Sequence, residues 1–425
     1  MDNFNVFIYE DYKAENFLPL AASHSVGELL VGARTLQSRV RHYFGESWMT
    51  YLVQEHLADV VKYRTNSNVN QLNYDPSLPV LLVNSRAIIT SEVAERIKSL
   101  KENILLMQGE TPVALVIVKH TNDDWKPLFE GGMTEESQTE LLRRYPMEEV
   151  KTFVFDHIWD MITRNIEVLE SDFREYLPSP GIEGEVDEAA LIYNPDFVHI
   201  EKGAIVDAFC VLDARTGPIW IEKDVHIYPY SYIQGPCYLG EHSLVFRGFL
   251  REGSSFGPES RVGGEVEQSI FLGYSNKYHD GFIGHSYIGN WVNIGALTTT
   301  SDLRNDYGSV KVSLRGGERV STGTTKIGSF IGDCVALGIG TLLDTGSVIN
   351  PVCNFYGGGM PPTYTPPFIW GSFEGMAEYE IEKALENIRR IRARRGRELP
   401  FVEEQLLRNL SQSTKDEREI FIRSF

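Results

Sequence analysis

An apolar residue recurs every six positions in the second half of this chain. The ladder runs through Ile221, Ile227, Ile233, Leu239 and Val245 and returns at Ile331, Leu337, Leu343, Ile349 and Phe355. A period of six fits neither an α-helix, with its apolar period of about 3.6, nor a simple strand, with its period of two. It is typical of a parallel β-helix, in which one hexapeptide forms one short side of a triangular coil. The ladder therefore predicts a β-helix over residues 191–360.

The chain is long enough for more than one domain. It has 425 residues, whereas single hydrophobic cores rarely grow beyond about 300 residues. Residues 1–190 alternate short apolar strands with helices, which predicts an α/β sheet covered on both faces. A helix is expected over Ser91–Leu106, with Thr90 as its N-cap. The strands are expected at Asn5–Tyr9, Pro79–Asn84 and Thr111–Val118.

Residues 361–425 predict an extended segment followed by a charged helical arm, which begins with a helix over Glu374–Arg397. Its end is rich in arginine: Arg389, Arg390, Arg392, Arg394, Arg395 and Arg397. One interpretation is a solvated helix end, where cations are favoured by the helix dipole. The other is an arm that supplies arginines to the phosphate of a ligand held by a neighbouring subunit.

Charge and composition exclude several classes of partner. The formal net charge is −19, so phosphate repulsion opposes binding to nucleic acid. No segment approaches the run of about 20 apolar residues that a membrane span needs. The four cysteines include no CxxC pair, which argues against a zinc or redox motif. We expect a cytoplasmic protein with neither a membrane nor nucleic acid as partner.

The densest polar segment, Gly273–His285, interrupts the ladder and is expected to be a loop outside the coil, as is the segment 299–325. His279 is a candidate general base, because histidine titrates near neutral pH. Lys277 is a candidate partner for a phosphate group. An alternative hypothesis is that His279 and His285 bind a metal such as zinc.

Small residues follow in the stretch 293–300. Gly295 and Ala296 would let a long cofactor lie against the coil while main-chain groups bind its amide arm. The alternative is structural, since glycine and alanine also fit the tight corners of a β-helix.

A family resemblance rests on several of these residues. The pattern Glu265-Val266, His279, Gly284 and Ile288-Gly289 through Ala296 resembles the acetyltransferase half of the bifunctional N-acetylglucosamine-1-phosphate uridyltransferase and glucosamine-1-phosphate acetyltransferase family. The stretches 273–284 and 355–371 are similar to its divergent branch. The resemblance implies a nucleotidyltransferase-like α/β domain fused to a left-handed hexapeptide β-helix.

The resemblance also implies roles for particular residues. His279 would deprotonate the 2-amino group of glucosamine 1-phosphate, and acetyl-CoA would be the donor. A homotrimer would place this site between neighbouring subunits. The sugar phosphate would contact Asn276, Lys277, Asn293, Arg251 and Lys326, and acetyl-CoA would contact Gly295, Ala296 and Gly338.

The chain departs from the family at several positions. A lysine that grips the sugar phosphate is replaced by Glu267, and a tyrosine that contacts the sugar by Phe282. The glycine-rich nucleotide loop and its Pro-Lys pair are missing, and the branch's Arg-Pro-Val is replaced by His24-Ser25-Val26. The nucleotide-binding residues suggested instead are Leu20, Arg34 and Asn84.

The leading functional hypothesis is N-acetylation of an amino-sugar 1-phosphate, coupled to nucleotidyl transfer from UTP or another nucleoside triphosphate with Mg²⁺. Two alternatives stay open. One is a sugar-nucleotide-binding protein whose two sites are degenerate. The other is a metal-dependent enzyme on a β-helix.

Overall fold

The protein folds into an α/β domain, a β-helix and a helical arm, in that order along the chain. The structure is a computed structural model and describes residues 3–46, 49–118, 125–130, 132–177 and 179–424. The expected fold class, an α/β domain followed by a left-handed parallel β-helix and a helical tail, is confirmed.

The α/β domain is built on a mixed sheet whose central strands are almost wholly buried. In spatial order the strands are Asn68–Val69, Met49–Leu52, Asn5–Tyr9, Val80–Asn84, Thr111–Ile117, Ile104–Gln108 and Met147–Glu149. All pair in parallel except Thr111–Ile117, which is antiparallel to both neighbours. A short hairpin of Leu30–Val31 and Arg34–Thr35 lies outside this sheet.

The helices of the described residues are α1 (Leu36–Phe44), α2 (Ala58–Thr65), α3 (Ser91–Ser99), α4 (Lys126–Phe129), α5 (Glu135–Arg144), α6 (Ile158–Tyr176), α7 (Ile381–Ala393), α8 (Phe401–Ser413) and α9 (Lys415–Ser424). Thr90 caps α3 as expected, by accepting a hydrogen bond from the N–H of Val93. The helix predicted over Ser91–Leu106 is too long, because the chain becomes extended at Leu100 and re-enters the sheet as the strand Ile104–Gln108.

The β-helix has three flat faces of stacked parallel strands, which we call faces A, B and C in the order in which the chain visits them. The strands Leu244–Leu250 and Arg261–Glu267 each turn the corner from face A to face B. Face A also contains Glu185–Val186, Ile205–Val206, His226–Ile227, Asn276–Lys277, Asn293–Ile294, Ala336–Leu337, Asn354–Phe355 and Ile369–Ser372. Face B also contains Leu191–Tyr193, Val211–Asp213, Tyr232–Gln234, Phe282–Gly284, Thr299–Thr300 and Leu342–Leu343. Face C contains Val198–Ile200, Ile219–Ile221, Cys237–Leu239, Ser254–Phe256, Ile270–Gly273, Tyr287–Asn290, Phe330–Ile331, Val348–Ile349 and Tyr364–Thr365.

The hexapeptide ladder is the inner lining of this coil. All ten ladder residues named above are buried in one continuous core. The stack is longer than the predicted 191–360. Its first strand begins at Glu185, and the strand Ile369–Ser372 still pairs with Asn354–Phe355 on face A.

One of the two predicted excursions from the coil does not occur. Residues 273–285 stay in the coil, because they contain a face A strand and a face B strand in register with their neighbours. The second excursion exists, and it leaves the coil after Thr300 and returns at Phe330. It contains a small antiparallel hairpin of Lys311–Val312 and Val320–Ser321.

Face C carries the α/β domain. Outward residues of this face, such as Tyr287 and Phe330, share a buried cluster with Val26 and Trp159 of the α/β domain. The hydroxyl of Tyr287 donates a hydrogen bond to the carbonyl oxygen of Leu30 at 2.8 Å. The helical arm packs beside the corner between faces C and A, where Leu385 of α7 and Leu407 of α8 meet Val352 and Phe368. Within the described residues, the corner between faces A and B therefore stays exposed.

Candidate active site

His279 lies at the corner between faces A and B, which we call the A/B corner. Its side chain is exposed. The next two coils turn the same corner at 295–298 and 338–341, so Ala296 lies one coil above His279. Hydrogen bonds stack these corners, from Leu297 N–H to the oxygen of Asp280 (2.8 Å) and from Gly340 N–H to that of Ala296 (2.9 Å). The structure thus brings together His279 and the expected cofactor-binding residues.

Gly295 and Gly338 also have a structural reason to be glycine. A Cβ on Gly295 would lie 2.7 Å from the carbonyl carbon of Gly338 and 2.8 Å from the oxygen of Leu337. A Cβ on Gly338 would lie 3.0 Å from the oxygen of Phe355. The alternative interpretation, that these residues fit tight corners, therefore holds whether or not a cofactor binds there.

Lys277 does not face a ligand, which corrects the role predicted for it. Its side chain is fully buried inside the coil, at the inward position between Val262 and Ile294. Its ammonium group donates hydrogen bonds to the carbonyl oxygens of Gly263 (3.1 Å) and His279. Burial lowers the pKa of Lys277 to about 8, so the ammonium form dominates at neutral pH.

The coil beneath His279 turns the A/B corner unusually tightly, at Gly263-Gly264. Because these two residues lack side chains, the ring of Tyr278 reaches across them and stacks on Phe246, with 4.8 Å between ring centroids. A Cβ on Gly263 would lie 2.2 Å from the oxygen of Tyr278. The two glycines therefore set the position of the His279 corner.

A groove of about 540 Å³ runs along face A between the coil and α7. Asn276 and Asn293 lie on its floor, joined by a hydrogen bond from Nδ2 of Asn276 to Oδ1 of Asn293 at 2.8 Å. The remaining residues along the groove include His279, Arg261, Tyr274, Trp291, Ala336, Asn387, Arg394 and Arg395. Side-chain amides, guanidinium groups and an imidazole thus meet in one cleft.

The arginine-rich end of α7 folds back on its own chain. The guanidinium groups of Arg392 and Arg395 lie 5.0 and 5.8 Å from the ring of Trp291, and that of Arg397 lies 5.2 Å from Tyr274. Sequence reasoning missed this arrangement, because the contact joins segments far apart in the chain. Neither interpretation of the arginines predicts that they line a groove on face A of their own chain.

Arg251 and Lys326 lie at the corner between faces B and C, on the far side of face B from His279. Both bind the buried carboxylate of Glu267, at 2.6 Å from Arg251 and 3.2 Å from Lys326. Their charge is therefore already shared with a carboxylate. The phosphate contact predicted for them is not supported by this geometry.

His285 lies at the same B/C corner and bonds Asp302 through Nδ1 at 2.7 Å. Because His279 and His285 occupy different corners of one coil, the hypothesis that they share a metal is wrong. In the part of the chain that the structure describes, no three His, Cys, Asp or Glu side chains converge as a metal site requires.

Of the three residues expected to bind nucleotide, two are buried within the protein and the third, Arg34, is half-buried. Leu20 is fully buried. Asn84 is buried too and donates to Asp11 (3.0 Å) and to the carbonyl oxygen of Pro112 (3.1 Å). Arg34 stacks on Tyr176 and Trp220, at 5.3 and 5.1 Å from the ring centroids. The roles predicted for Leu20 and Asn84 are therefore wrong, because burial leaves neither facing an open site, whereas the role of Arg34 stays a prediction.

The residues that replace the family's loop join the two domains. His24 Nε2 lies 2.6 Å from Oδ2 of Asp333 in the β-helix, and the Ser23 hydroxyl donates to the same oxygen at 3.0 Å. On the other side of His24, its Nδ1 lies 3.1 Å from the guanidinium of Arg64. This segment therefore serves as a buried joint.

A different cleft, of about 820 Å³, opens at the carboxyl edge of the α/β sheet. It lies beside α3 and α6, past the ends of the strands Val80–Asn84 and Ile104–Gln108. Its lining includes Thr90, Ser91, Lys151, Thr152, Thr163, Arg164 and Ser171. Ligands of α/β sheets bind at this edge, so this cleft is the candidate nucleotide site of the domain.

The chain is similar to known proteins over its N-terminal domain and, at lower identity, over most of its length. Residues 6–176 match the family model for sugar nucleotidyl transferases. A bifunctional sugar-1-phosphate nucleotidylyltransferase/acetyltransferase of Sulfurisphaera tokodaii is 34% identical over 147 residues, which cover 34% of this chain and 36% of that protein. The bifunctional protein GlmU of Methanocaldococcus jannaschii is 24% identical over 373 residues, 82% of this chain and 81% of that protein.

Two further comparisons are more limited. The bifunctional protein GlmU of Herminiimonas arsenicoxydans is 34% identical over 110 residues, 24% of this chain and 22% of that protein. The matches to this protein and to the Sulfurisphaera relative thus span less than two fifths of each relative's length. A crystal structure of UDP-N-acetylglucosamine acyltransferase aligns with 56% of this chain and 91% of its own, at 13% identity and a TM-score of 0.26. Residues 6–176 of this chain are thus similar to the sugar nucleotidyl transferases, and the chain over most of its length is similar to bifunctional nucleotidylyltransferase/acetyltransferases.

Proposed function

We propose that the chain transfers an acetyl group from acetyl-CoA to the amino group of an amino-sugar phosphate, as a step of sugar-nucleotide synthesis in the cytoplasm. Glucosamine 1-phosphate is the first acceptor to test. The observation that carries the proposal is the exposed imidazole of His279 at the A/B corner, beside the groove that contains Asn276 and Asn293.

His279 would act as the general base. As the amine nitrogen attacks the thioester carbonyl carbon, the imidazole takes a proton from it and a C–N bond forms. The tetrahedral intermediate then collapses, the C–S bond breaks, and the CoA sulfur leaves with the proton from the imidazolium. Asn276 and Asn293 provide amide donors and acceptors for the sugar hydroxyl groups.

The intermediate needs a donor for its oxyanion. The main-chain N–H of Ala296 lies one coil above His279 and makes no hydrogen bond within the described residues. Main-chain N–H groups that are fixed before the reaction are effective oxyanion donors. We assign this role to Ala296, which needs no particular side chain for it.

The A/B corner also supports a homotrimer. Phe209, Tyr230, Leu297 and Ile339 lie along this corner, and 58 to 70% of each is exposed. Exposed apolar rows of this kind mark contact surfaces between proteins. If the corner is a subunit interface, the base and the oxyanion donor lie where a second copy closes the site against water.

Nucleotidyl transfer is the second activity that we propose, for the N-terminal domain, because its family model matches residues 6–176. The cleft at the carboxyl edge of the sheet offers Lys151 for phosphate groups, whereas Arg164 in the same cleft pairs with Glu167 at 2.9 Å. The described residues do not form a ready Mg²⁺ site, since Asp172 in this cleft is bound by Arg39 and Asp160 by main-chain N–H groups.

The test of acetyl transfer is a mass-spectrometric assay of the purified protein with acetyl-CoA and amino-sugar phosphates, with and without UTP and Mg²⁺. We expect His279→Ala to abolish acetylation while its melting temperature stays close to that of the wild type. His226→Ala is the control, because His226 lies on face A outside the groove and pairs with Asp207 at 2.9 Å. An unchanged rate in His279→Ala contradicts the proposal.

A further inference from the structure

We infer that the groove on face A beneath α7 binds the phosphate group of a ligand, through the guanidinium groups of Arg261, Arg394 and Arg395. The inference rests on the proposed function for the choice of ligands. The inference identifies the residues that bind the phosphate group of such a ligand.

The groove concentrates positive charge in an acidic protein. Arg261, Arg394 and Arg395 all line it, although the chain carries a net charge of −19. The ion pairs near this end of α7 involve Arg392 with Glu403 and Arg397 with Glu259, and none among the described residues includes Arg261 or Arg394. Burial, and after it the charge of Arg261, lower the pKa of Arg395 to about 10. Guanidinium groups held together without carboxylates favour an anion between them.

The nearest carboxylate does not neutralise this cluster. Glu259 binds Arg397 through its side chain, with Oε1 3.1 Å from Nε. Within the part of the chain that the structure describes, Arg395 donates a hydrogen bond only to the main-chain carbonyl oxygen of Glu259. The guanidinium of Arg395 is held in place by this bond while its charge stays available to a ligand.

The floor of the groove relates the cations to the proposed base. Arg261, Asn276, Asn293 and Ala336 are successive outward positions on face A, in register from coil to coil. Adjacent coils are about 4.8 Å apart. A phosphate bound at Arg261 therefore leaves a sugar over Asn276 and Asn293, on the coils whose corners carry His279 and Ala296.

At the B/C corner, on the opposite side of face B, the cations Arg251 and Lys326 are not available to a phosphate group. Glu267 stands where the family resemblance implies a lysine, and it occupies both Arg251 and Lys326. In our proposal the phosphate-binding residues therefore lie on face A and α7, whereas the family resemblance implies them at the B/C corner. This explains how a chain with Glu267 can still hold a phosphorylated ligand.

Two ligands of the proposed reaction carry phosphate, the acceptor sugar and CoA. Isothermal titration distinguishes them with four probes: glucosamine 1-phosphate, glucosamine, CoA and dephospho-CoA. We expect Arg261→Gln and Arg395→Gln each to lower the affinity for at least one phosphorylated ligand about tenfold or more, because each variant loses a charge-assisted hydrogen bond. A loss for glucosamine 1-phosphate but not glucosamine identifies the acceptor. A loss for CoA larger than that for dephospho-CoA identifies the 3′-phosphate, and equal losses identify the diphosphate.

Arg390→Gln is the matched control. Arg390 lies on the same helix, is highly exposed and pairs with Glu386 outside the groove. Arg394→Gln is a second test, because Arg394 is exposed and we expect its loss to leave the fold intact. Wild-type affinity for all four probes in the three groove variants overturns the inference, as does a wild-type protein that binds none of them. Binding without acetylation would instead contradict only the proposed function.

Discussion

The ammonium group of Lys277 donates a hydrogen bond from inside the β-helix to the main-chain carbonyl oxygen of His279. A second hydrogen bond from the same nitrogen, to Gly263, ties that corner to the coil beneath it. The candidate base is therefore positioned from within, by a charged group in a column that is otherwise apolar. A buried charge of this kind is costly, so it gives a measurable dependence on pH.

We expect the stability conferred by Lys277 to rise with pH. Burial lowers its pKa in the folded protein to about 8, against about 10.4 in an unfolded chain. Between these values the unfolded state binds more protons, so the free energy of unfolding increases with pH. Relative to Lys277→Met, the wild type should gain up to about 1.4 kcal/mol per pH unit between pH 8 and pH 10. Urea unfolding of both proteins at several pH values measures this.

The comparison with Lys277→Met removes the titration of every other group. A constant difference between the two proteins over this range would show that Lys277 keeps an ordinary pKa. Lys277→Met should also lower kcat for acetyl transfer more than it raises KM, because the corner that carries His279 loses its tie while Asn276 and Asn293 stay in place.

The inward position of the Lys277 side chain is predictable from the sequence. Phe271, Lys277 and Ile283 are six residues apart, so the ladder runs straight through the polar segment. The density of polar residues in Gly273–His285 instead favours an excursion from the coil. The spacing was the stronger signal, since period and coil geometry are coupled while a single polar residue can be satisfied by carbonyl oxygens.

Gly264 should be needed for the shape of the His279 corner. Its φ is +67°, and a Cβ there would lie 2.8 Å from the oxygen of Gly281 and 2.9 Å from that of His279. We expect Gly264→Ala to lose about 2–4 kcal/mol, from the left-handed backbone and from overpacking together, and to reduce acetyl transfer. Thermal unfolding and the acetylation assay measure the two effects.

Gly396→Ala separates these two causes. Gly396 has a φ of +64°, but a Cβ there would meet no atom within 4 Å. It should lose only about 1–2 kcal/mol and keep full activity. Equal losses in the two variants would show that the contact with the His279 corner has no energetic effect.

Asp333 should hold the two domains together only while its carboxylate is ionised. Burial raises its pKa, but the attraction and hydrogen bond of His24 outweigh burial and hold the pKa below its usual value. A depressed pKa stabilises the fold above about pH 4, and this contribution is lost as the pH falls through the folded value. Asp333→Asn should cost about 3–5 kcal/mol at pH 7 and less near pH 3.

Urea midpoints at the two pH values test this expectation. Asp344→Asn is the control, because Asp344 is exposed on the same coil and should change the midpoint little. If Asp333→Asn destabilises the protein equally at both pH values, the ionised carboxylate is not what joins the domains.

The closed nucleotide region could not be predicted from local sequence. Leu20 and Asn84 stand near a turn and at the end of a strand, positions that suit ligand binding, and the local sequence does not show which distant residues pack over them. They are enclosed because face C docks onto the α/β domain and because Asp11 and Arg86 form a buried ion pair beside Asn84 at 2.6 Å. Both contacts join residues that are distant in sequence, whereas the ladder and the spacing of His279, Asn293 and Ala296 are local patterns.

Charges on the A/B corner should prevent self-association. Leu297 and Ile339 are 61 and 68% exposed and lie on the two coils above His279. The double variant Leu297→Glu/Ile339→Glu places like charges in the proposed threefold contact, where they repel and must be desolvated. We expect the wild type to sediment as a trimer and this variant at the mass of one chain, 48.1 kDa, with acetyl transfer strongly reduced.

Ile420→Glu is the matched control, since Ile420 is 69% exposed but lies on α9, away from this corner. It should remain a trimer with wild-type activity. A wild type that sediments as a monomer, or a double variant that stays trimeric, would place the contact elsewhere. Loss of the trimer with full activity would show that each chain builds a complete site, and the base at His279 would then work without a neighbour.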